Sequence, residues 1–292
     1  MVEYPLHFLK NPQLHHLINL FILLFLAKEY AYLYLDWSKI VSIIVFALLS
    51  ESAISWINTR QIKKYPFSSI TTAIGVILMV YSTHIWLYFI LIFISILQKY
   101  IIKIQNRHIF NPSNFAIFIL LLTFDNFGGV SGGTLGHNLN IAFLVILLGI
   151  FILIRVNRWI LPLGFTIFYL ISEISLVTEV DNTIFIEDIF EKFYSVSFIL
   201  FILFMLTDPL TTPKNPIHQI IFAIFIAILS TTFDYFWGMR VEHIFLALTL
   251  SSPLILLLES DRLKEFFIIE SILTLLSLFI LFKNLNFMGV PN

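Results

Sequence analysis

The sequence predicts an all-α integral membrane protein, and three observations carry that reading. Hydrophobic residues make up 59% of the 292 positions and charged residues only 12%, against roughly 25% charged in soluble domains. The mean hydropathy is +0.94, and phenylalanine alone occurs 32 times, too much apolar surface for one water-bounded core. Apolar runs near the length of a bilayer crossing, about 20 residues, follow one another along the whole chain. The net charge of −1 argues against a nucleic-acid partner. The absence of cysteine excludes disulfides, thiolate metal sites and cysteine nucleophiles, and no residue set suggests a metal site. The N-terminal stretch MVEYPLHFLKNPQLHH lacks the layout of a signal peptide and reads as mature sequence.

Eleven spans are expected, near 16–35, 38–57, 67–83, 84–102, 109–124, 139–156, 159–178, 193–208, 217–236, 243–259 and 267–284. The short connections make one polytopic domain. Lys and Arg fall in alternate loops: Arg60, Lys63 and Lys64 after the second span, Lys103 and Arg107 after the fourth, Arg155 and Arg158 after the sixth, Lys214 after the eighth, Arg262 and Lys264 after the tenth. The positive-inside rule assigns these loops to the cytoplasm. The N-terminus is then inside and, with an odd number of spans, the C-terminus outside. A bacterial-type inner membrane is the expected location. The remaining loops, such as EVDNTIFIEDIFEK at 179–192, are acidic or neutral.

Polar residues interrupt the apolar runs at a few places. Glu51 in LLSESAIS and Glu173 in LISEIS each follow a serine, five spans apart in spans of opposite direction, so that Glu51 lies toward the inside and Glu173 toward the outside. That is the signature of two inverted five-span halves, 1–124 and 125–260, with 261–292 adding a further helix. Each carboxylate reads either as an ion or proton contact or as a hydrogen bond between helices. Asp125 and Asp234 are further candidates for ion passage. Two stiff knots stand out: Asn111-Pro112-Ser113-Asn114 opens the fifth span, and Thr207-Asp208-Pro209 closes the eighth, with Thr211 and two more prolines close behind. Asn caps helices and Pro fits the first turn, whereas a residue before Pro avoids helical geometry. Either knot alone reads as a helix end; the pair reads as backbone shaped around a ligand. The loop DNFGGVSGGTLGHN holds five glycines beside Ser131, Thr134 and His137. It is either a flexible connection or a place where backbone amides approach an anion or flat ring. His15, His16, His84 and His243 are expected to be structural or surface residues.

Taken in order, PFSSITTAIGVILMV, FNPSNFAIFILLLTF, NRWILPLGFTIFYLI, FMLTDPLTTPKN and VEHIFLALTLSSPLILLLE resemble the NqrB/RnfD family over roughly residues 60–260. Those proteins are membrane subunits of the sodium-pumping quinone reductase and of the Rnf electron-transport complex. The Thr-Asp-Pro form and the short loop after the fifth span look most like standalone relatives encoded beside enediyne-biosynthesis genes. The resemblance implies ten core helices in two inverted five-helix repeats, as in urea transporters, with the eleventh as an addition. It also implies FMN or riboflavin as cofactor, and quinone as a candidate second ligand.

In the founding members FMN is esterified to a threonine in an Asp-Gly-x-Ser-[Gly/Gln]-Ala-Thr pattern. Gly129, Ser131, Gly132 and Thr134 fit that pattern, while Gly128 replaces its Asp and Gly133 its Ala. The missing Asp favours noncovalent flavin over attachment at Thr134. The cofactor-binding candidates are therefore Ser131, Gly132, Gly133 and Thr134 together with Asn111, Pro112, Ser113, Thr207, Asp208, Pro209 and Thr211. An electron-transfer subunit would pass electrons through flavin within or across the bilayer, coupled or not to cation movement, beside redox partner subunits. The alternatives are a transporter or channel for a small solute or a flavin, and a membrane scaffold subunit.

Overall fold

The computed structural model describes residues 12–30, 33–61, 66–104, 107–131, 139–156, 158–180 and 186–259. Its elements in order are α1 (Pro12–Tyr30), α2 (Trp37–Thr59), α3 (Phe67–Met79), β1 (Val80–Tyr81), α4 (Ile85–Ile101), β2 (Lys103–Ile104), β3 (Arg107–His108), α5 (Pro112–Thr123), β4 (Gly129–Val130), α6 (Leu139–Val156), α7 (Ile160–Val180), α8 (Ile186–Tyr194), α9 (Val196–Leu200) running into a π-helical turn (Phe201–Met205), α10 (Pro216–Trp237), α11 (Glu242–Ser251) and α12 (Leu254–Glu259). The expected all-helical character holds. Two antiparallel two-residue pairs, β1 with β4 and β2 with β3, are the strands among the described residues. The expected eleventh span, 267–284, lies outside those residues.

Helices α2 and α10 are long and apolar enough to cross a bilayer, and their faces are arranged inside out. On α2 the exposed stripe is Val41, Val45, Leu49 and Trp56, while Ser50, Glu51 and Ser55 are buried. On α10 Ile217, Ile221, Phe225 and Ile228 face outward, while Gln219, Ser230 and Asp234 are buried. A helix in water turns its polar side to the solvent. These helices turn it to their neighbours, as expected where the surroundings are lipid and every polar group must be satisfied within the protein. The chain is a membrane protein.

Chain chemistry sets several helix ends. Asn111 caps α5 by accepting from the Asn114 N–H at 3.1 Å, with Pro112 in the first turn. Asn215 and Pro216 repeat the device at α10, where Asn215 Oδ1 accepts from the Ile217 N–H at 2.9 Å. Ser195 caps α9 through the Phe198 N–H. Three expected spans differ from a plain helix; the third, 67–83, is α3 followed by β1, which pairs with β4. The eighth, 193–208, is a short α9 followed by the π-helical turn, in which the Leu206 N–H reaches back to the Phe201 carbonyl at 2.9 Å. The tenth, 243–259, is divided into α11 and α12 around Ser252 and Pro253, because proline lacks the donor a continuous helix needs. Within the acidic stretch read as an outer loop, residues 186–194 form α8.

Close helix contacts rest on small residues. A Cβ on Gly75 in α3 would lie 2.9 Å from Ser113 Cβ in α5. One on Gly149 in α6 would lie 2.7 Å from Leu203 Cβ in the π-helical turn. Without a hydrophobic drive between helices in lipid, such close approach supplies the contact energy. Gly149→Val should therefore force α6 from the π-helical turn and cost about 1–3 kcal/mol. Gly129→Ala, with nothing within 4 Å of the added carbon, should be near neutral. Thermal unfolding of the two purified variants in one detergent checks the contrast.

Candidate functional site

The two knots that the sequence separates by almost a hundred residues meet in space. Asn111 Nδ2 donates to Asp208 Oδ2 at 3.1 Å. Each residue is fixed from its own side. The Asn111 side-chain oxygen is committed to the α5 cap, which leaves the amide nitrogen to face Asp208. The other Asp208 oxygen, Oδ1, accepts from the Leu210 N–H at 3.0 Å, an Asx turn of the kind that Asp before proline favours. The Asp208 carbonyl accepts from Thr212 Oγ1 at 2.6 Å, and Thr207 Oγ1 donates to the Leu203 carbonyl at 2.6 Å. The π-helical turn ends in this knot, and such turns concentrate at functional sites.

Beside the Asn111–Asp208 bond lies a cavity of about 420 Å³, within the usual 300–1,000 Å³ range of small-molecule sites. Its apolar wall comes from Leu20, Phe67, Leu78, Met79, Leu200 and Phe204. Its polar wall includes Ser68, Thr71, Thr72 and Ser113, with Asn111 and Asp208 at one end. Gln13, His16 and His108 add further polar groups. Helices α1, α3 and α5 thus contribute from the first half of the chain, and the α9 region from the second. Gly75 matters here too, since its missing side chain lets Ser113 approach α3.

Of the cofactor candidates, the structure brings Asn111, Pro112, Ser113, Thr207, Asp208 and Pro209 to the cavity. Thr211 is buried and its N–H donates to the Asp208 carbonyl at 3.2 Å, so it braces the knot without lining the space. Ser131 is buried next to β4, beyond the far end of α5, and does not line the cavity. Gly132, Gly133 and Thr134 lie outside the described residues. His16, expected to be a structural or surface residue, lines the cavity, with its ring 5.7 Å from that of Phe204. Its i, i+4 relation to Leu20 on α1 was the available signal. The cavity sets an apolar wall against the Asn111 amide, the Asp208 carboxylate and threonine hydroxyls.

The membrane carboxylates form two clusters away from the cavity centre. Glu51 in α2 accepts from Lys99 Nζ at 2.7 Å and Tyr100 Oη at 2.6 Å, both on α4. Lys99 also donates to Ser68 Oγ at 3.2 Å, at the start of α3. Asp234 in α10 accepts from Lys192 Nζ at 2.6 Å, from Tyr169 Oη at 2.7 Å and from the Arg240 N–H at 2.9 Å. His243 Nδ1 lies 2.7 Å from its other oxygen, so His243 is structural, as expected, but belongs to a charged network. Glu173 lies 3.8 Å from Lys192 Nζ. The lysines were missed as partners: Lys99 reads as one of several basic residues ending α4, and Lys192 as part of an acidic loop. Removing one partner of a buried ion pair costs about 3–5 kcal/mol, because the other charge is stranded. Lys99→Met should destabilise the protein by that order, and Lys99→Met with Glu51→Gln should recover much of it. Unfolding midpoints of the single and double variants test this.

No curated protein matches the chain. Residues 122–260, which contain the Thr207-Asp208-Pro209 knot and the Glu173–Asp234 cluster, match the family model of the NQR2, RnfD, RnfE family. Over those residues the match bears out the resemblance drawn from the motifs, and this membrane protein is similar there to the NqrB/RnfD family.

Proposed function

We propose that this protein is a membrane electron-transfer subunit that holds a flavin or a quinone in the cavity beside Asn111 and Asp208. The observation that carries the reading is the hydrogen bond joining two helix breaks, one from each half of the chain, at an amphipathic cavity of about 420 Å³. The family suggests a membrane subunit of a redox or ion-pumping complex, and such a subunit works beside redox partner subunits. When bound, a flavin or quinone supplies the capacity to accept and release electrons, chemistry the side chains of this chain lack.

The residues do the rest. Asp208 orients the Asn111 amide toward a polar ring edge. The Leu210 N–H steadies Asp208, so that the carboxylate keeps its position when a ligand displaces solvent. Ser113, Thr72 and Thr207 offer hydroxyl dipoles, and Leu20, Leu78 and Phe204 exclude water and enclose the faces of a ring. We read the cavity as a place for the ring of riboflavin or of a quinone. If FMN is bound as well, the loop at 128–134 remains its candidate place, with Thr134 as acceptor.

The inverted-repeat reading has support in the packing. In the first half α1 contacts α3, α2 contacts α4, and α4 contacts α5. The corresponding pairs of the second half, α6 with the α9 region, α7 with α10, and α10 with α11, also contact one another. Across the halves α1 meets α6 and α5 meets α11. Ten core helices in two inverted five-helix repeats, N-terminus on the cytoplasmic side of the inner membrane, is the architecture that accounts for this pattern and for the alternate basic loops. A cavity where the two halves meet also suits a carrier of a small neutral solute or of flavin itself. Uptake into proteoliposomes without redox activity would favour that second reading.

The test is an absorbance spectrum of detergent-purified protein before and after acid precipitation. Flavin absorbance that moves to the supernatant is the expected result. Asp208→Ala removes a charge-assisted hydrogen bond and should weaken flavin or quinone affinity about tenfold or more. A folded Asp208→Ala protein that retains its full flavin and quinone affinity would overturn the assignment.

A further inference from the structure

Glu173 has a setting unlike any other described carboxylate in the membrane spans. Its side chain is fully buried, and neither of its oxygens has a hydrogen-bond partner. The nearest cation, Lys192 Nζ, is 3.8 Å away and is already committed to Asp234 at 2.6 Å. Its counterpart in the first half, Glu51, has both oxygens engaged by Lys99 and Tyr100. An ionised carboxylate buried without donors is unfavourable, whereas a neutral carboxyl at the same place is tolerated.

The groups facing Glu173 from each neighbouring element give the charge count. Lys192 comes from α8, and Asp234 and Thr231 come from α10; Tyr169 lies one turn before Glu173 on α7, and His243 from α11 reaches the cluster through Asp234. Arg240 contributes its backbone N–H to Asp234. Lys192 also sits over the Tyr169 ring at 4.9 Å. Two carboxylates, Glu173 and Asp234, share the one ammonium of Lys192. One added proton brings the carboxylates and that ammonium to neutrality. The ammonium of Lys192 already occupies the position between the two carboxylates where a metal cation would sit.

We propose that Glu173, Lys192, Asp234 and His243 form a binding site for a single exchangeable proton, seated on Glu173, and that the Glu51–Lys99 pair is a fixed structural bridge. Loading forms one O–H bond on a Glu173 oxygen, and release breaks that bond and returns the proton to water. No electron moves in the step. The inference deepens the ion-path reading of Glu173 and does not depend on what occupies the cavity beside Asp208.

Infrared difference spectroscopy on the purified full chain in lipid nanodiscs, stepped in pH in H2O and in D2O, tests it. The expected result is a protonated-carboxyl C=O band that appears and disappears with pH, shifts in D2O, is absent from Glu173→Gln and is displaced in Glu173→Asp. Replacing choline chloride by sodium chloride at fixed pH should leave the band unchanged. Wild-type protein without such a band, a band that survives Glu173→Gln and is not displaced in Glu173→Asp, or a band lost on adding sodium would each overturn the proposal. Bound flavin and quinone do not enter these spectra at fixed redox state, so loss of this site and loss of the cavity assignment are read separately.

Discussion

Lipid offers no hydrogen bonds, and that constraint fixes most of what is distinctive in this protein. Glu51 and Asp234, carboxylates within the spans, find their donors on neighbouring helices. Glu51 takes Lys99 and Tyr100 from α4, and Lys99 in turn reaches Ser68 at the head of α3. Asp234 takes donors from α7, α8 and the turn leading to α11. Such clusters clamp three or four helices at one point. They also set register, since sliding any helix by one residue would strand a charge in the interior. The short-range contacts at Gly75 and Gly149 act with them, because they bring backbones close enough for side chains to span the gap.

The same constraint explains why broken helices are found where they are. Ending a helix at membrane depth exposes backbone groups that only protein can satisfy. At Thr207-Asp208-Pro209 the loose carbonyls are taken by Thr207, Thr211 and Thr212, and the carboxylate by Asn111 and the Leu210 N–H. Almost every polar group in the knot serves the backbone or its neighbour. The cavity beside it remains open because α5 begins and the π-helical turn ends at the same level, so neither helix fills the space between them. A ligand there meets a polar end and an apolar body, which matches a ring system with carbonyls on one edge.

Much of the fold was legible in the sequence because its signals are local. Apolar run length located the helices to within a few residues, and Asn111-Pro112 marked a cap that the structure reproduces atom by atom. Thr207-Asp208-Pro209 announced a helix end in the same way. That these two knots touch was inferable only from a supposed symmetry, since nothing within either stretch encodes its partner. The lysine partners were less legible still. A basic residue near a helix end normally points to solvent, and turning Lys99 and Lys192 inward depends on carboxylates 48 and 42 positions away. Helix α8 was hidden for a related reason. Its alternation of acidic and apolar residues reads as a surface segment, yet Ile189 and Lys192 are buried.

The two clusters, one in each half of the chain, hold unlike chemistry. In both halves a glutamate on the second helix faces the fourth helix, and in both a lysine and a tyrosine stand nearby. In the first half the glutamate takes the lysine and tyrosine directly. In the second an additional carboxylate, Asp234, takes both, together with His243 and the Arg240 N–H. Adding Asp234 without a second lysine displaces Glu173 from its cation and leaves it dry. The first arrangement is saturated and therefore rigid. In the second, two carboxylates share the one ammonium of Lys192, which lies closer to Asp234 than to Glu173. The difference between bridge and site thus comes down to a single extra carboxylate on α10.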